Sequence, residues 1–261
     1  MNATTLAPPI RVNTAGIHAR PRLGRLAAVE LRKMVDTRAG FWLQVATLAI
    51  TVAAVAVRSV VGDAADHTFA SVLEVGLKPA AVLLPVAGIL LVTSEWSQRT
   101  GMITFALVPV RSRVLAAKLI ASLVLAMATL AVGVAVVAAA VLVASPGVDD
   151  AWSGVAPLIG QSAVYLGGGI VIGVAFGAIL LAPAPALVAL FALPSAWLAV
   201  TSLPFFGDLG PWLDTGRGLG PLSREVIDGT QWAQAGTSLA LWMLLPLLAG
   251  AWRITRREVA S

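Results

Sequence analysis

The feature that most constrains the fold of this chain is a set of six apolar segments, each close to 20 residues long. Crossing about 30 Å of hydrocarbon takes about 20 helical residues, so every segment is long enough to span a membrane. With 58% hydrophobic and only 12% charged residues, the composition lies far from that of a soluble domain. We therefore predict an all-α membrane protein with six transmembrane helices at residues 41–60, 72–93, 117–143, 158–181, 186–206 and 233–252.

The fourth and fifth segments are separated only by residues 182–185, which contain two prolines. One continuous helix over residues 158–206 would be about 70 Å long at about 1.5 Å per residue, which is far more than a membrane requires. A tight turn around the prolines is the better interpretation, because proline disfavours a continuing helix. We therefore expect two spans here, and a six-helix transmembrane domain over residues 41–261.

The residues before the first span divide into two parts. Residues 1–22 are rich in Pro, Thr and Arg without apolar periodicity, which predicts a disordered cytoplasmic tail. In residues 23–40 apolar and charged side chains alternate at helical spacing, which predicts an amphipathic helix on the bilayer surface. Its apolar positions are Leu26, Val29, Leu31, Met34 and Val35.

Basic residues are distributed unevenly between the two sides of the predicted bundle. If both termini are cytoplasmic, 14 of the 18 Lys and Arg residues lie inside: seven before the first span, four between residues 95 and 118, and three after Trp252. Cytoplasmic loops of membrane proteins carry such an excess. An odd number of spans would put the last three outside, so the charges favour six spans in a multi-pass plasma-membrane protein.

The remaining composition excludes several classes of function. The chain has no cysteine, so it has no disulfide, thiolate metal site or cysteine nucleophile. Its basic residues flank the apolar segments rather than forming one soluble basic surface, which indicates membrane lipid as their partner and not nucleic acid. We expect no catalytic residues and no metal site in this chain.

The polar stretch between the second and third spans, residues 95–118, holds four basic residues and one acid. Residues 97–105 have the composition of a short helix, ended by Pro109. A helix displayed at the membrane face suits docking to a soluble partner. The same charges would also serve as an anchor that touches only lipid headgroups, and the residues alone leave both interpretations open.

The motifs of this stretch resemble a known family. Arg32-Lys33 in the amphipathic helix, EWSQRTGMITFALVPVRSR over residues 95–113 with AAKL after it, and RITRRE at the end of the sixth span are similar to the membrane subunits of type-2 ABC exporters. The resemblance extends over nearly the whole chain from about residue 23. It concerns architecture, and the substrate stays open.

The resemblance implies a role for two regions. The amphipathic helix with Glu30, Arg32 and Lys33 would be a connecting helix. The stretch after the second span would be a coupling helix received by a separate P-loop ABC ATPase, with contacts from Glu95, Trp96, Arg99, Thr100, Met102 and Phe105. It also implies a second permease subunit, identical or related. ATP and Mg would bind the ATPase and not this chain, which contains no G-x-x-x-x-G-K-[ST] motif.

Two further features carry two interpretations each. Gly169, Gly173 and Gly177 form overlapping G-x-x-x-G steps, which indicate close helix packing within one subunit or across a dimer. Gln44, Thr47 and Thr51 share one face of the first span, and they either hydrogen-bond between helices or line a substrate path.

Lys78 inside the second span follows Glu74 by one turn, which favours a structural ion pair over a functional site. The outer segment 207–231 is apolar enough to lie on the membrane; the family resemblance implies short re-entrant helices there, supplied by residues 222–227.

Two other functions compete with the permease. Glu95-x-x-x-Arg99 loosely resembles the E-x-x-x-R of CAAX-type membrane proteases, but the two histidines, His18 and His67, lie in the tail and outside. Such an intramembrane enzyme needs histidines on neighbouring spans. An ion-coupled secondary transporter would be expected to carry an acid at mid-membrane and repeated halves, and the sequence shows neither.

Overall fold

Every regular element in the described part of the chain is helical. The computed structural model describes residues 22–61, 67–97, 111–145, 148 and 150–256, and no strand occurs within these ranges. Six of the helices are long and apolar enough to cross a membrane: Arg38–Val60, Phe69–Ser97, Arg111–Ala144, Val155–Leu180, Pro183–Thr201 and Gly229–Thr255. We call them spans one to six. The six predicted spans are therefore confirmed as helices of suitable length and composition.

The helix predicted before the first span is present as Leu23–Asp36, the N-terminal helix. It ends earlier than residue 40, because Thr37 is extended and its hydroxyl oxygen accepts a hydrogen bond from the backbone N–H of Gly40. This cap starts span one at Arg38. Gly40 makes the corner tight, since a Cβ at this position would overlap the carbonyl of Met34. The predicted tail lies outside the described residues apart from Arg22.

Spans two and four form the centre of the bundle. The apolar window of span four is 67% buried and that of span two is 56% buried, against 22% for span one and 17% each for spans five and six. The two central backbones approach closely, because a Cβ at Gly88 would lie 2.5 Å from the carbonyl oxygen of Ile170. Spans one, three, five and six surround this pair.

Several helix ends differ from the sequence-based boundaries. Span two continues to Ser97 and span three begins at Arg111, so Glu95 and Trp96 lie on span two, and Arg111 and Arg113 lie on span three, and not in a connecting loop. Span five ends at Thr201 and not at residue 206, and Pro204 starts the next short helix. The turn between spans four and five is shorter than expected, with Leu181 in the left-handed region at φ 56° and Pro183 opening span five.

The segment between spans five and six folds into short helices and not into a loose loop. They are Pro204–Leu209, Gly210–Leu213, Thr215–Leu219 and Gly220–Ser223. The expectation of a helix over residues 222–227 is wrong, because the chain is no longer helical after Ser223. Span six then consists of Gly229–Leu239, a π-helical turn at Ala240–Leu244 and Leu245–Arg256.

Candidate functional site

Four charged side chains from three helices meet at one end of the bundle. Glu30 and Lys33 come from the N-terminal helix, Glu95 from the last turns of span two, and Lys118 from the third turn of span three. We call these four residues the charge ring. The sequence places them up to 88 positions apart, and the fold brings them within hydrogen-bonding distance.

The contacts close into a complete cycle. Lys33 Nζ lies 2.7 Å from Glu30 Oε1 and 2.9 Å from Glu95 Oε1. Lys118 Nζ lies 2.7 Å from Glu30 Oε2 and 3.1 Å from Glu95 Oε1. The ammonium of Lys118 also donates to the carbonyl of Leu91 at 3.1 Å. Each lysine therefore bridges both acids, and all three ammonium protons of Lys118 have acceptors.

Local sequence explains how the N-terminal helix supplies two members of the ring. Positions three apart lie on neighbouring parts of a helix surface, so Glu30 and Lys33 project together. The same face buries Ala27 and Met34 against the bundle. Arg32 points elsewhere: its side chain is 82% exposed and lies 4.0 Å from Asp36. Of the three residues predicted on this helix, two belong to the ring.

The ring is buried and formally neutral. The side chains of Glu30, Glu95 and Lys118 are only 6, 8 and 5% exposed, whereas Lys33 is 40% exposed. Two carboxylates and two ammonium groups sum to zero charge. Burying an unpaired charge is costly, but a closed and fully hydrogen-bonded set limits that cost. Removal of a single member would leave one uncompensated charge in the interior.

The environment of Lys33 keeps this residue charged. Burial disfavours its ammonium form, but the hydrogen bonds and the negative charges of Glu30 and Glu95 outweigh burial, so the pKa of Lys33 is raised above its ordinary value. Because folding raises this pKa, the stabilisation is complete below the unfolded pKa. It is lost only as the pH rises through the folded pKa.

Two arginines fasten neighbouring helices at the same end, which we call the basic end. Arg111 at the start of span three donates to the carbonyl of Ile254 at 2.9 Å. Arg253 donates to the carbonyl of Ile179 near the end of span four. Both carbonyls lie in the last turns of their helices, where free carbonyl groups and the helix dipole attract cations. Spans three, four and six are thus joined beside the charge ring.

The other residues predicted for partner coupling fall in different places. Trp96 follows Glu95 on span two and packs against the small apolar cluster of Val92, Val174 and Ile254. Arg99, Thr100, Met102 and Phe105 lie outside the described residues. The structure therefore links Glu95 to Lys33 and Lys118.

The predicted polar stripe of span one lines a cavity of about 260 Å³ between spans one, two and three. Thr47 and Thr51 are buried, and Gln44 is half-buried. The hydroxyl of Thr51 donates to the carbonyl of Gly76 on span two at 3.1 Å, whereas that of Thr47 donates within its own helix to Leu43. One of the three side chains thus makes an interhelical bond, and all three face the cavity.

The predicted glycine steps of span four face span two of the same chain. A Cβ at Gly173 would overlap the carbonyl of Pro85, and one at Gly177 would lie 3.2 Å from the carbonyl oxygen of Ile89. Gly169 is less crowded, because a Cβ there would lie 3.6 Å from the Pro85 ring. These contacts lie within one subunit.

Sequence reasoning did not identify the contacts that hold the segment between spans five and six. Gln161 in span four donates to the carbonyl of Glu225 at 2.6 Å and accepts from the N–H of Ile227 at 3.1 Å. The indole N–H groups of Trp197 and Trp242 both donate to the carbonyl of Leu213. A glutamine inside an apolar span is the signal that could have indicated them, because a buried amide needs partners.

At that same end, opposite the basic end, Lys78 pairs with Glu74 at 3.1 Å, as the spacing predicts. The carboxylate of Glu74 also forms an ion pair with the guanidinium of Arg224, with Nε 3.2 Å from Oε1. Lys78 and Arg224 are 60 and 59% exposed, so this cluster is far more open than the charge ring.

No protein-family model matches the sequence, and a search of curated proteins finds no match.

Proposed function

We propose that this chain is the permease subunit of an ATP-binding cassette exporter in the plasma membrane, with both termini in the cytoplasm. In this proposal the N-terminal helix lies on the inner membrane surface. A separate P-loop ATPase binds ATP and Mg, and a second permease subunit completes the translocation path. The observation that carries the proposal is the charge ring, which ties the N-terminal helix to the two helices that flank residues 98–110.

The mechanical argument starts from the two ends of that segment. Span two ends at Ser97, just before this segment, and span three begins at Arg111, just after it. Two residues before Ser97, Glu95 is bound to Lys33, and seven residues after Arg111, Lys118 is bound to Glu30. A force applied to residues 98–110 would therefore act on spans two and three and on the N-terminal helix together. Such a linkage suits a subunit that is driven by an external ATPase.

The chemistry of ATP hydrolysis belongs to the partner in this scheme. Nucleotide binding would close the paired ATPases, and differential contacts with the permease in the open and closed states would shift the spans. The role of this chain is to receive that movement at Arg99, Thr100, Met102 and Phe105 and to pass it to the bundle. Gln44, Thr47 and Thr51 are proposed to lie along the path of an amphiphilic substrate.

The arrangement around Glu95 favours the permease over a membrane protease. A protease of the E-x-x-x-R type needs a carboxylate that is free to activate water. Glu95 is engaged by two lysines at 2.9 and 3.1 Å, and this contact keeps the carboxylate in a structural ion pair.

The test is copurification followed by ATP turnover. The tagged full-length chain, expressed with the adjacent reading frame if that frame encodes an ABC ATPase, should retain the ATPase through purification, and the complex should show vanadate-sensitive hydrolysis. Arg99→Ala with Met102→Ala should reduce copurification at least about fivefold. Lys78→Ala, an exposed residue of the opposite end, should leave it unchanged.

Two results would overturn the proposal. One is transport by the purified chain in the absence of any ATPase. The other is equal retention of the ATPase by the Arg99→Ala/Met102→Ala variant and the unaltered chain.

A further inference from the structure

A second cavity lies on the other side of the central helix pair, toward the end opposite the charge ring. Its volume is about 230 Å³, and spans two, four, five and six contribute its walls together with the short helix Thr215–Leu219. Three aromatic side chains line it: Tyr165, Phe191 and Trp242. It shares no lining residue with the cavity of the span-one stripe.

Two prolines within spanning helices face this cavity. Pro85 lies inside span two and Pro194 inside span five. Proline has no N–H, so it cannot donate the usual helical hydrogen bond to the carbonyl four residues earlier. Those carbonyls belong to Ala81 and Leu190, and both of these residues line the cavity beside their prolines.

Each proline therefore leaves a gap in the helical hydrogen bonding on the cavity wall. A helix carbonyl points along the axis toward the residue four positions later, so the Ala81 and Leu190 carbonyls point toward the prolines that flank the same space. In the part of the chain that the structure describes, no side chain donates to either carbonyl. In an apolar bundle such groups are satisfied by neighbouring donors.

Two hydroxyl groups add to the polar positions in this wall. Tyr165 and Thr215 are both half-buried cavity residues. Neither hydroxyl has a hydrogen-bond partner among the described residues. The indole N–H of Trp242, by contrast, is already bound to the carbonyl of Leu213 at 2.8 Å. The cavity is thus lined by the two residues whose carbonyls lack the proline N–H and by two residues with unbonded hydroxyls, on an otherwise apolar and aromatic wall.

The charge and size of the cavity restrict its ligand. Among the described residues, no Asp, Glu, Lys, Arg or His lines it, so a charged molecule would lose its hydration without a counter-charge. Its volume is below the roughly 300–1,000 Å³ of pockets for drug-sized ligands, and a whole lipid is therefore too large. Apolar walls with a few polar groups are typical of small-molecule sites.

We propose that this cavity binds an uncharged, ring-sized apolar molecule that carries a hydroxyl or amide N–H, which donates a hydrogen bond to the carbonyl of Ala81 or Leu190. The site lies within one chain and goes beyond the proposed function, because it requires neither the ATPase nor a second subunit.

The first experiment compares two probes on the unaltered full-length chain in lipid nanodiscs. 1-Naphthol has a hydroxyl donor, and 1-fluoronaphthalene has nearly the same shape without one. Equilibrium dialysis against empty nanodiscs removes the contribution of lipid partitioning. We expect saturable binding of naphthol with one site per chain, at least about threefold tighter than fluoronaphthalene, as for one ordinary hydrogen bond.

The second experiment restores the missing donors. In Pro85→Ala/Pro194→Ala the new N–H groups bond the Ala81 and Leu190 carbonyls, so naphthol affinity should fall about three- to tenfold while fluoronaphthalene affinity stays the same. Pro79→Ala is the matched control, because Pro79 lies inside the same span two but does not line the cavity. Pro194→Ala alone replaces the double variant if tryptophan-monitored melting shows that the double variant is unfolded.

The proposal is wrong if naphthol shows no saturable binding, if both probes bind equally, or if Pro79→Ala weakens naphthol as much as the cavity variants do. Tighter binding of 1-naphthylmethylammonium than of naphthol would contradict the uncharged ligand class. Since all of these measurements use the chain without an ATPase, their outcome is independent of the copurification test.

Discussion

Lys118 is the residue on which the charge ring depends most. It is the most buried of the four members, and its ammonium contacts Glu30, Glu95 and the carbonyl of Leu91. Sequence patterns indicated only a basic residue near the start of a span, which is a common position for a membrane anchor. The partner that fixes its role, Glu30, lies 88 positions away, and such pairing cannot be inferred from local spacing.

Removing this lysine alone should be strongly destabilising. Lys118→Met leaves two buried carboxylates with one lysine, and we expect a loss of about 3–5 kcal/mol in the free energy of unfolding. The double variant Lys118→Met/Glu30→Gln restores neutrality and keeps the 2.9 Å pair of Lys33 with Glu95, so it should recover much of that loss. Reversible unfolding in mixed detergent micelles measures both.

Lys78→Met provides the control for this comparison. Like Lys118, Lys78 is paired with a glutamate. Its partner Glu74 lies one turn away on the same helix, and the Lys78 side chain is 60% exposed. Exposed ion pairs contribute little, so the expected cost is below about 1 kcal/mol. Equal losses for the two single variants would show that the ring has no special energetic role.

Gly173 and Gly169 make a second matched pair at the residue scale. A Cβ at Gly173 would overlap the carbonyl of Pro85, whereas one at Gly169 has its nearest neighbour, the Pro85 ring, at 3.6 Å. Gly173→Ala should therefore push spans two and four apart and cost about 1–3 kcal/mol. Gly169→Ala should be neutral or slightly stabilising, because alanine favours a helix. The same micelle unfolding assay separates them, and a tolerated Gly173→Ala would contradict the close backbone contact.

At the scale of elements, the N-terminal helix illustrates what periodicity can and cannot predict. Its existence follows from the spacing of Leu26, Met34 and their neighbours. Its buried face differs from the predicted apolar face, because Ala27, Glu30 and Met34 are buried, whereas Val29 and Val35 are exposed. Its end could not be predicted either, because the break at Thr37 depends on a cap to Gly40 and on the close approach of Gly40 to Met34. Both contacts are made only after the chain has turned into span one.

Replacing Gly40 should displace this helix. A Cβ at Gly40 overlaps the Met34 carbonyl, while one at Gly24, on the helix itself, meets nothing within 4 Å. Because the chain has no cysteine, spin labels attach selectively at Val29→Cys and Ile120→Cys, two exposed positions on the N-terminal helix and span three. Gly40→Ala should shift or broaden the distance between the labels, and Gly24→Ala should not. Identical distance distributions in both variants would refute this role of Gly40.

The spans themselves were predictable in number and approximate position, since long apolar windows determine them. Their ends were missed where charged residues continue the helix, at Glu95 in span two and at Arg111 and Arg113 in span three. A charge normally indicates that a span has ended. Here Glu95 is neutralised across helices by Lys118 at 3.1 Å, and hydropathy along one helix contains no information about that contact.

At the scale of the whole molecule, the contacts define two ends of different character. The basic end contains the charge ring with Arg111 and Arg253, and the opposite end contains the short helices and the exposed Glu74 cluster. Charge counting in the sequence predicts that the basic end is cytoplasmic, because basic residues are retained on that side. The packing of spans two and four at the centre required the structure, since their hydropathy resembles that of the peripheral spans.

Labelling in intact cells tests this orientation. Arg32→Cys places a thiol at an exposed position of the N-terminal helix, and Asp208→Cys places one in the exposed short helix at the opposite end. A membrane-impermeant maleimide should label residue 208 in intact cells and residue 32 only after lysis. The reverse pattern would place the basic end outside and would exclude an ATPase partner in the cytoplasm.

The order of the ring members along the chain has a consequence for biosynthesis. Glu30, Lys33 and Glu95 all leave the ribosome before Lys118 does, and together they carry one net negative charge. The nascent protein therefore passes through a stage in which the acid on span two has one lysine instead of two. The four charges sum to zero only when span three has emerged, so full anchoring of the N-terminal helix through Glu30 requires that span to be in place.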